Sequence, residues 1–155
     1  MSDTFDFLSP TDQPALVGLS TLDWLGKVRA ALMELNYKVH VAANQEDFIL
    51  RFNRTHYQVA IIEEAFAVAS PEENAALGTL QRMLMAQRRH AVLILVGGQF
   101  VSLDRLQAFQ QSVHAVVHPD ELDRMRDIMQ QVVADNELFM QSFTEAIVQI
   151  TTWGK

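Results

Sequence analysis

Apolar residues in this chain fall into two rhythms, short unbroken runs and longer stretches at helical spacing, and the two alternate from end to end. The run at the centre is Tyr57-Gln58-Val59-Ala60-Ile61-Ile62-Glu63-Glu64, four apolar residues followed at once by two acids. Such a short, β-branched run predicts a strand covered on both faces. Similar runs are Ala15 to Leu19, Val39 to Ala42, Ala91 to Val96 and Val113 to Val117. Between them, Leu22, Leu25, Val28, Leu32 and Leu35 predict a helix. Ser20 or Thr21 can cap it, Asp23 suits its first turn, and Asn36 can stop it. Asn44 heads a helix to about Arg54, with Phe48, Ile49 and Phe52 inward. After the loop Ser70-Pro71-Glu72-Glu73, a helix is predicted from about Asn74 to Arg89, with Arg82, Arg88 and Arg89 as its solvated end. Ser102 heads another to Gln111, with Leu103, Leu106 and Phe109 inward. Gly97-Gly98 and Pro119 punctuate strands. A last helical pattern runs from Glu121 to about Ile150.

Five strand–helix alternations predict an α/β fold with a doubly wound parallel sheet and helices on both faces. Residues 1–13 read as a flexible lead-in, 14–134 as the domain, and 135–155 as a helical extension. The chain has 155 residues, of which 49% are hydrophobic and 20% charged, so one folded domain with a real core is expected. A net charge of −7 argues against a nucleic-acid partner, which requires a basic face. No run reaches the length of a membrane span, and the acidic start lacks the basic flank of a signal peptide. The absence of cysteine removes disulfides, thiol nucleophiles and cysteine metal sites, which fits a cytoplasmic protein.

The order of these elements, with "L-x-x-L-N-Y-K-V" closing the first helix, "Y-Q-V-A-I-I-E" as third strand, "A-V-L-I-L-V" as fourth and "H-A-V-V-H-P" closing the fifth, resembles a response-regulator receiver domain. The resemblance covers about Ala15 to Val133. It implies the flavodoxin-like (βα)5 fold with strand order 2-1-3-4-5, and no resident organic cofactor.

The resemblance also implies where phosphoryl chemistry would sit. Receivers hold Mg²⁺ with two acids after the first strand; those positions here are Leu19 and Ser20. The phosphoacceptor aspartate after the third strand corresponds to Glu63. The hydroxyl residue after the fourth corresponds to Val96, with Gly97 next. The lysine after the fifth corresponds to His118, still followed by Pro119. All five depart from the pattern. Mg²⁺ wants oxygen ligands, usually including one or two carboxylates, and phosphoryl transfer needs its charge neutralised. Leu19 cannot ligate and Ser20 is a weak neutral donor. The expectation is therefore no metal, no phosphorylation and no enzyme activity.

Two readings of Glu63 stand side by side. As a built-in mimic it would carry a permanent charge one methylene farther out than aspartate. As a relic it would be an acid left at a solvated strand end. A phosphoryl group carries about −1.5 to −2 charges, which one carboxylate imitates poorly. Among His40, His56, His90, His114 and His118, only His114 and His118 share one side of a strand with Val116. A packed ring and a solvated strand end explain them better than a metal, although His118 could titrate beside Glu63. Gly97-Gly98 lacks the surroundings of a phosphate loop, and no nucleophile elbow is present.

The last helix is longer than the sheet needs. Leu122, Met125, Ile128, Met129, Val132 and Val133 are followed by Leu138, Phe139, Met140, Phe143, Ile147 and Ile150. A stripe of this size wants a partner. Leu122, Met125, Met129, Val132, Leu138, Phe139, Phe143 and Ile147 are the candidate interaction residues. The stripe could pair with a second copy, meet another protein or effector domain, or fold back near Asp135-Asn136. The chain thus reads as a pseudo-receiver acting in signal transduction by protein–protein contact, a homodimer without nucleic-acid or membrane partners. The rival is a flavodoxin-like nucleotide or flavin binder, and the lack of a glycine-rich loop after the first strand counts against it. A second rival is a receiver still phosphorylated at Glu63 or Glu64.

Overall fold

The computed structural model describes residues 8–83, 88 and 90–153. Its centre is the strand β3 (Val59–Glu63), buried at every residue. On one side β3 pairs in parallel with β1 (Gln13–Gly18), Val17 opposite Ile61; on the other it pairs with β4 (Val92–Val96), Ile61 opposite Ile94. The outer strands are β2 (Tyr37–Val41), against β1, and β5 (Ala115–Val117), against β4. The order is β2-β1-β3-β4-β5, all parallel, as predicted. The order reverses direction between β1 and β3, so a crevice opens at their carboxyl ends.

The helices between the strands are α1 (Leu22–Glu34), α2 (Gln45–Arg54), α3 (Ala75–Arg82) and α4 (Arg105–Gln110). The final helix, α5 (Met125–Trp153), follows a 3₁₀ segment, Pro119–Arg124. Strand residues alternate between two cores. Val17, Ile61 and Ile94 meet Val28 and Leu32 of α1 and Met125 and Met129 of α5. Leu16, Ala60, Ile62 and Leu93 meet Phe48 and Phe52 of α2 and Leu77 and Leu80 of α3. Gly18 is required by this packing. A Cβ there would stand 2.8 Å from the Phe48 ring and 3.2 Å from Phe66.

Local signals explain most boundaries. Asn36 takes the left-handed conformation at φ 66° and ends α1, the role its residue type suits. Asn44 accepts the Asp47 N–H at 2.9 Å and starts α2.

Several expectations need correction. Residues 8–12 are not a loose lead-in: Asp12 accepts the Ser9 N–H at 2.7 Å, and β1 begins at Gln13. Residues 1–7 of the flexible segment expected over 1–13 lie outside the described residues. The helix predicted to Arg89 stops at Arg82, because Met83 is extended (ψ 145°). Arg88 is not a solvated cation; it is buried, donating to the Leu80 carbonyl at 2.8 Å and to the Ser112 carbonyl. Arg89 lies outside the described residues.

Asp104, not Ser102, caps α4, accepting the Gln107 N–H at 2.9 Å. That shift turns the helix. Ala108 faces the core, while Leu106 and Phe109 are 65% and 81% exposed rather than inward. Leu103 sits before the helix at φ 65° and packs only at the core's margin. The possible fold-back at Asp135-Asn136 does not occur, since α5 is continuous.

His114 enters the backbone ladder in place of a strand residue. Its own N–H donates to the Leu93 carbonyl, and its Nδ1 accepts the Leu93 N–H, both at 2.9 Å. An accepting Nδ1 requires the neutral ring. Burial, and then the Arg88 charge, lowers its pKa below the ordinary histidine value. The pKa of His90 is lowered likewise, by burial and by His56, whose ring it stacks on at 4.5 Å. For both, the unfolded chain binds the proton more readily than the folded one. Stability is therefore full above pH of about 6.5 and falls as pH drops below it. Urea unfolding from pH 8 to pH 5 should show that loss. His114→Asn, which keeps an acceptor near the Leu93 N–H, should make the curve flatter in that window.

Candidate functional site: the crevice at the end of the central strand

The crevice is built by the turn after β1, the end of β3 and the turn after β4. Glu63 is the last residue of β3 and is only 6% exposed, so it is not the solvated strand end considered above. Its carboxylate points at the start of α1. Oε1 accepts the Ser20 N–H at 2.5 Å, the Thr21 N–H at 3.0 Å and the Ser20 hydroxyl at 3.1 Å. Oε2 accepts the Thr21 hydroxyl at 3.3 Å. Two amides and two hydroxyls thus wrap one anion. The positive end of the α1 dipole lies behind them and favours the same charge. Thr21 precedes the first helical residue but makes no side-chain cap of its own, and Glu63 supplies the negative group there.

The adjacent acid goes the other way. Glu64 turns toward the loop after β4, where its Oε2 accepts from the Gln99 side chain. Gly97 lies against it: a Cβ there would stand 2.6 Å from the Glu64 carboxyl carbon and 2.8 Å from Phe100. The two carboxylates therefore diverge and cannot share one cation.

The remaining receiver-like positions are spread over different tasks. Leu19 and Val96 are buried, packed among apolar side chains of the α1 and α5 core. Val96 lies directly across the ladder from Glu63 and presents no hydroxyl. His118 donates its N–H to the Ser102 hydroxyl at 2.8 Å, and its Nδ1 accepts the Asp120 N–H at 3.0 Å. It caps the 3₁₀ segment, and among the described residues none of its hydrogen bonds reaches Glu63. His114 and His118 are held apart by separate backbone partners. Of the other four, Val96 is the ladder neighbour of Glu63 and Ser20 alone bonds its carboxylate.

A Mg²⁺ ion would need several free oxygen ligands in octahedral array. The donor set here does not fit. The Glu63 oxygens are taken by amide and hydroxyl donors, Leu19 has no ligand, and Glu64 faces away. Among the described residues no cluster of three or more His, Cys, Asp or Glu could hold a metal.

Residue patterns did not point to the loop between β3 and α3, which is stitched closed. Asn74, buried, donates to the Glu63 and Glu64 carbonyls, each at 3.0 Å, and caps α3 by accepting the Leu77 N–H at 3.0 Å. Gln45 donates to the Phe66 carbonyl at 2.6 Å and accepts the Ala76 N–H at 2.6 Å. The Ser20 hydroxyl accepts the Ala67 N–H at 3.2 Å. Asn74 carried one signal, its capping position, whereas Gln45 and Thr21 carried none for this role.

The proposed interaction residues divide in two. Leu122, Met125, Met129 and Val132 are 1%, 0%, 0% and 7% exposed, so they cannot form a docking face; they are core, because the first part of α5 covers the sheet. Leu138, Phe139, Phe143 and Ile147 stand in solvent, at 64%, 64%, 43% and 47% exposure. No helix among the described residues is long and apolar enough to cross a membrane.

No protein-family model matches the chain, and no curated protein matches its sequence. Solved structures do match its fold. A CheY-like response-regulator receiver domain from Methanospirillum hungatei superposes at TM-score 0.58, with 14% identity over 82% of this chain and 98% of that one. An orphan response regulator from H. pylori superposes at 0.58, with 12% identity over 78% and 96%. The receiver domain of a sensor histidine kinase from Pseudomonas aeruginosa, described with magnesium coordinated in its active-site cleft, superposes at 0.61, with 16% identity over 80% and 99%. The chain therefore has the fold of a CheY-like receiver domain, with an extended C-terminal helix.

Proposed function

We propose that this protein is a pseudo-receiver: a non-catalytic, unphosphorylated module of cytoplasmic two-component-type signalling that acts by contact with a protein partner or effector domain. The observation that carries the reading is the engagement of Glu63. A phosphoacceptor must present a carboxylate oxygen to solvent and to a phosphodonor, with cations to balance the transferred charge. This carboxylate is buried and engaged by donors from Ser20 and Thr21, three on Oε1 and one on Oε2. The aspartate, metal acids, hydroxyl and lysine of a working receiver correspond here to Glu63, Leu19, Ser20, Val96 and His118. The anion that a phosphorylated receiver acquires is, in this reading, supplied by the chain itself.

The same reading makes the protein a homodimer through the projecting half of α5. A helix displaying Leu138, Phe139, Phe143, Ile147 and Ile150 to water is a burden unless something covers it. The net charge of −7 supports protein rather than nucleic-acid contacts.

Three measurements test these statements. Incubation with a small phosphodonor and Mg²⁺ should leave the intact mass unchanged; an added phosphoryl group would overturn the proposal. Glu63→Ala should lower unfolding stability by about 1–3 kcal/mol, because it leaves buried donors unmet, and Glu63→Gln, which keeps an acceptor, by less. Light scattering should give the full chain twice the monomer mass, and a chain ending at Ala134 the monomer mass. A monomeric full chain would remove the dimer from the reading.

A further inference from the structure

We infer that Glu63 and Ser20 form a latch that holds the loop between β3 and α3 closed over Phe66, and that this loop is a unit able to open while the sheet stays folded. The inference rests on the reading of Glu63 as a built-in anion and deepens it, since the output of that anion becomes the state of one loop. The loop runs over residues 64–74. Apart from Phe66, which is 2% exposed and meets the Phe48 ring at a centroid distance of 6.2 Å, residues 65–69 are small or aliphatic and add little to the core. Among the described residues, two hydrogen bonds tie residues 65–69 to elements other than β3 and the loop itself. The Gln45 side chain donates to the Phe66 carbonyl at 2.6 Å, and the Ala67 N–H donates to the Ser20 hydroxyl at 3.2 Å. The remaining bonds are local, from the Phe66 N–H to the Glu63 carbonyl at 3.2 Å and from the Val68 N–H to the Ala65 carbonyl at 3.4 Å. A segment that buries one large side chain and is pinned at two points stands at the low end of local stability.

The backbone at the latch is strained. Ala67 stands at φ 54°, in the left-handed region that a residue with a Cβ avoids. Its side chain is exposed, so packing does not offset the strain. The bond to Ser20 holds the conformation from outside, and Glu63 fixes the direction of that bond. A carboxylate only accepts, so the Ser20 hydroxyl gives its proton to Glu63 Oε1 at 3.1 Å and keeps a lone pair for the Ala67 N–H. Hydrogen bonds chained in this way polarise one another. Ser20 is thus a positioning residue that converts the charge of Glu63 into a closed, strained loop. Release of Ser20 lets Ala67 return to ordinary backbone angles and draws the Phe66 carbonyl away from Gln45. Because Gln45 also accepts the Ala76 N–H at 2.6 Å, the opening reaches the first turn of α3.

The experiment is amide hydrogen exchange of the full chain, read residue by residue. Ser20→Ala should speed exchange roughly tenfold at Phe66, Val68 and Ala76, while Val17 and Leu93 in the sheet keep their original rates. Ala67→Val leaves Ser20 untouched and puts a β-branched side chain, facing solvent, on the left-handed backbone; it should speed the same three amides. Ser20→Thr keeps the hydroxyl and should keep the slow rates. If Ser20→Ala alters the Ala67 amide alone, the loop is not one unit and the latch is overturned. Equal acceleration at Val17 and Leu93 overturns it too, because the opening is then that of the whole domain. So does a Ser20→Thr chain that exchanges as fast as Ser20→Ala. The phosphodonor test above decides separately whether Glu63 accepts phosphate, so either reading can fail alone.

Discussion

A carboxylate buried beside a helix start must be met by donors, and at the centre of this molecule that requirement ties together β1, α1 and β3. Glu63 sits where the strand order reverses, the place where α/β sheets of this kind gather ligands. Ser20 and Thr21 close around it, and the Ser20 hydroxyl in turn holds the Ala67 amide. From there the loop before α3 is fixed by Asn74 and Gln45. Removing a partner from such a buried network costs more than forming it contributes, because the remaining groups lose both water and each other. The bonds around Glu63 tie strand, helix and loop into one unit.

The final helix is divided by the edge of the sheet. Its first turns complete the core, with Met125 and Met129 fully buried; its later turns carry the same apolar face into water. Rigidity is passed from one half to the other, so whatever meets the outer half meets a preformed surface. The crevice and the helix are thus two ends of one arrangement, a densely bonded centre and an exposed arm.

The strands and their order were legible because unbroken β-branched runs separated by helical spacing leave few alternatives. Asn36 and Asn44 were legible because their side chains act locally. α4 was not. Ser102 and Asp104 are both plausible helix starts, and a shift of two residues sends Leu106 and Phe109 outward while Ala108 turns in. Arg88 was misread because a cation in a polar stretch gives no sign that two backbone carbonyls await it. At the crevice, the substitutions at Leu19, Glu63, Val96 and His118 could be seen in the residues themselves. That Glu63 would turn to Ser20 and Thr21 could not, since the partners lie more than forty positions away along the chain. Likewise the apolar spacing of α5 was plain, but the point at which core becomes surface depends on where the sheet runs out.

Gly97 has a mechanical consequence. The Glu64 carboxyl occupies the space that a side chain at this position would need, and Phe100 closes the other side. With Glu64 tethered to Gln99, a larger residue at 97 must displace that carboxylate first. The turns after β3 and β4 are therefore interlocked, and a change in one is felt in the other.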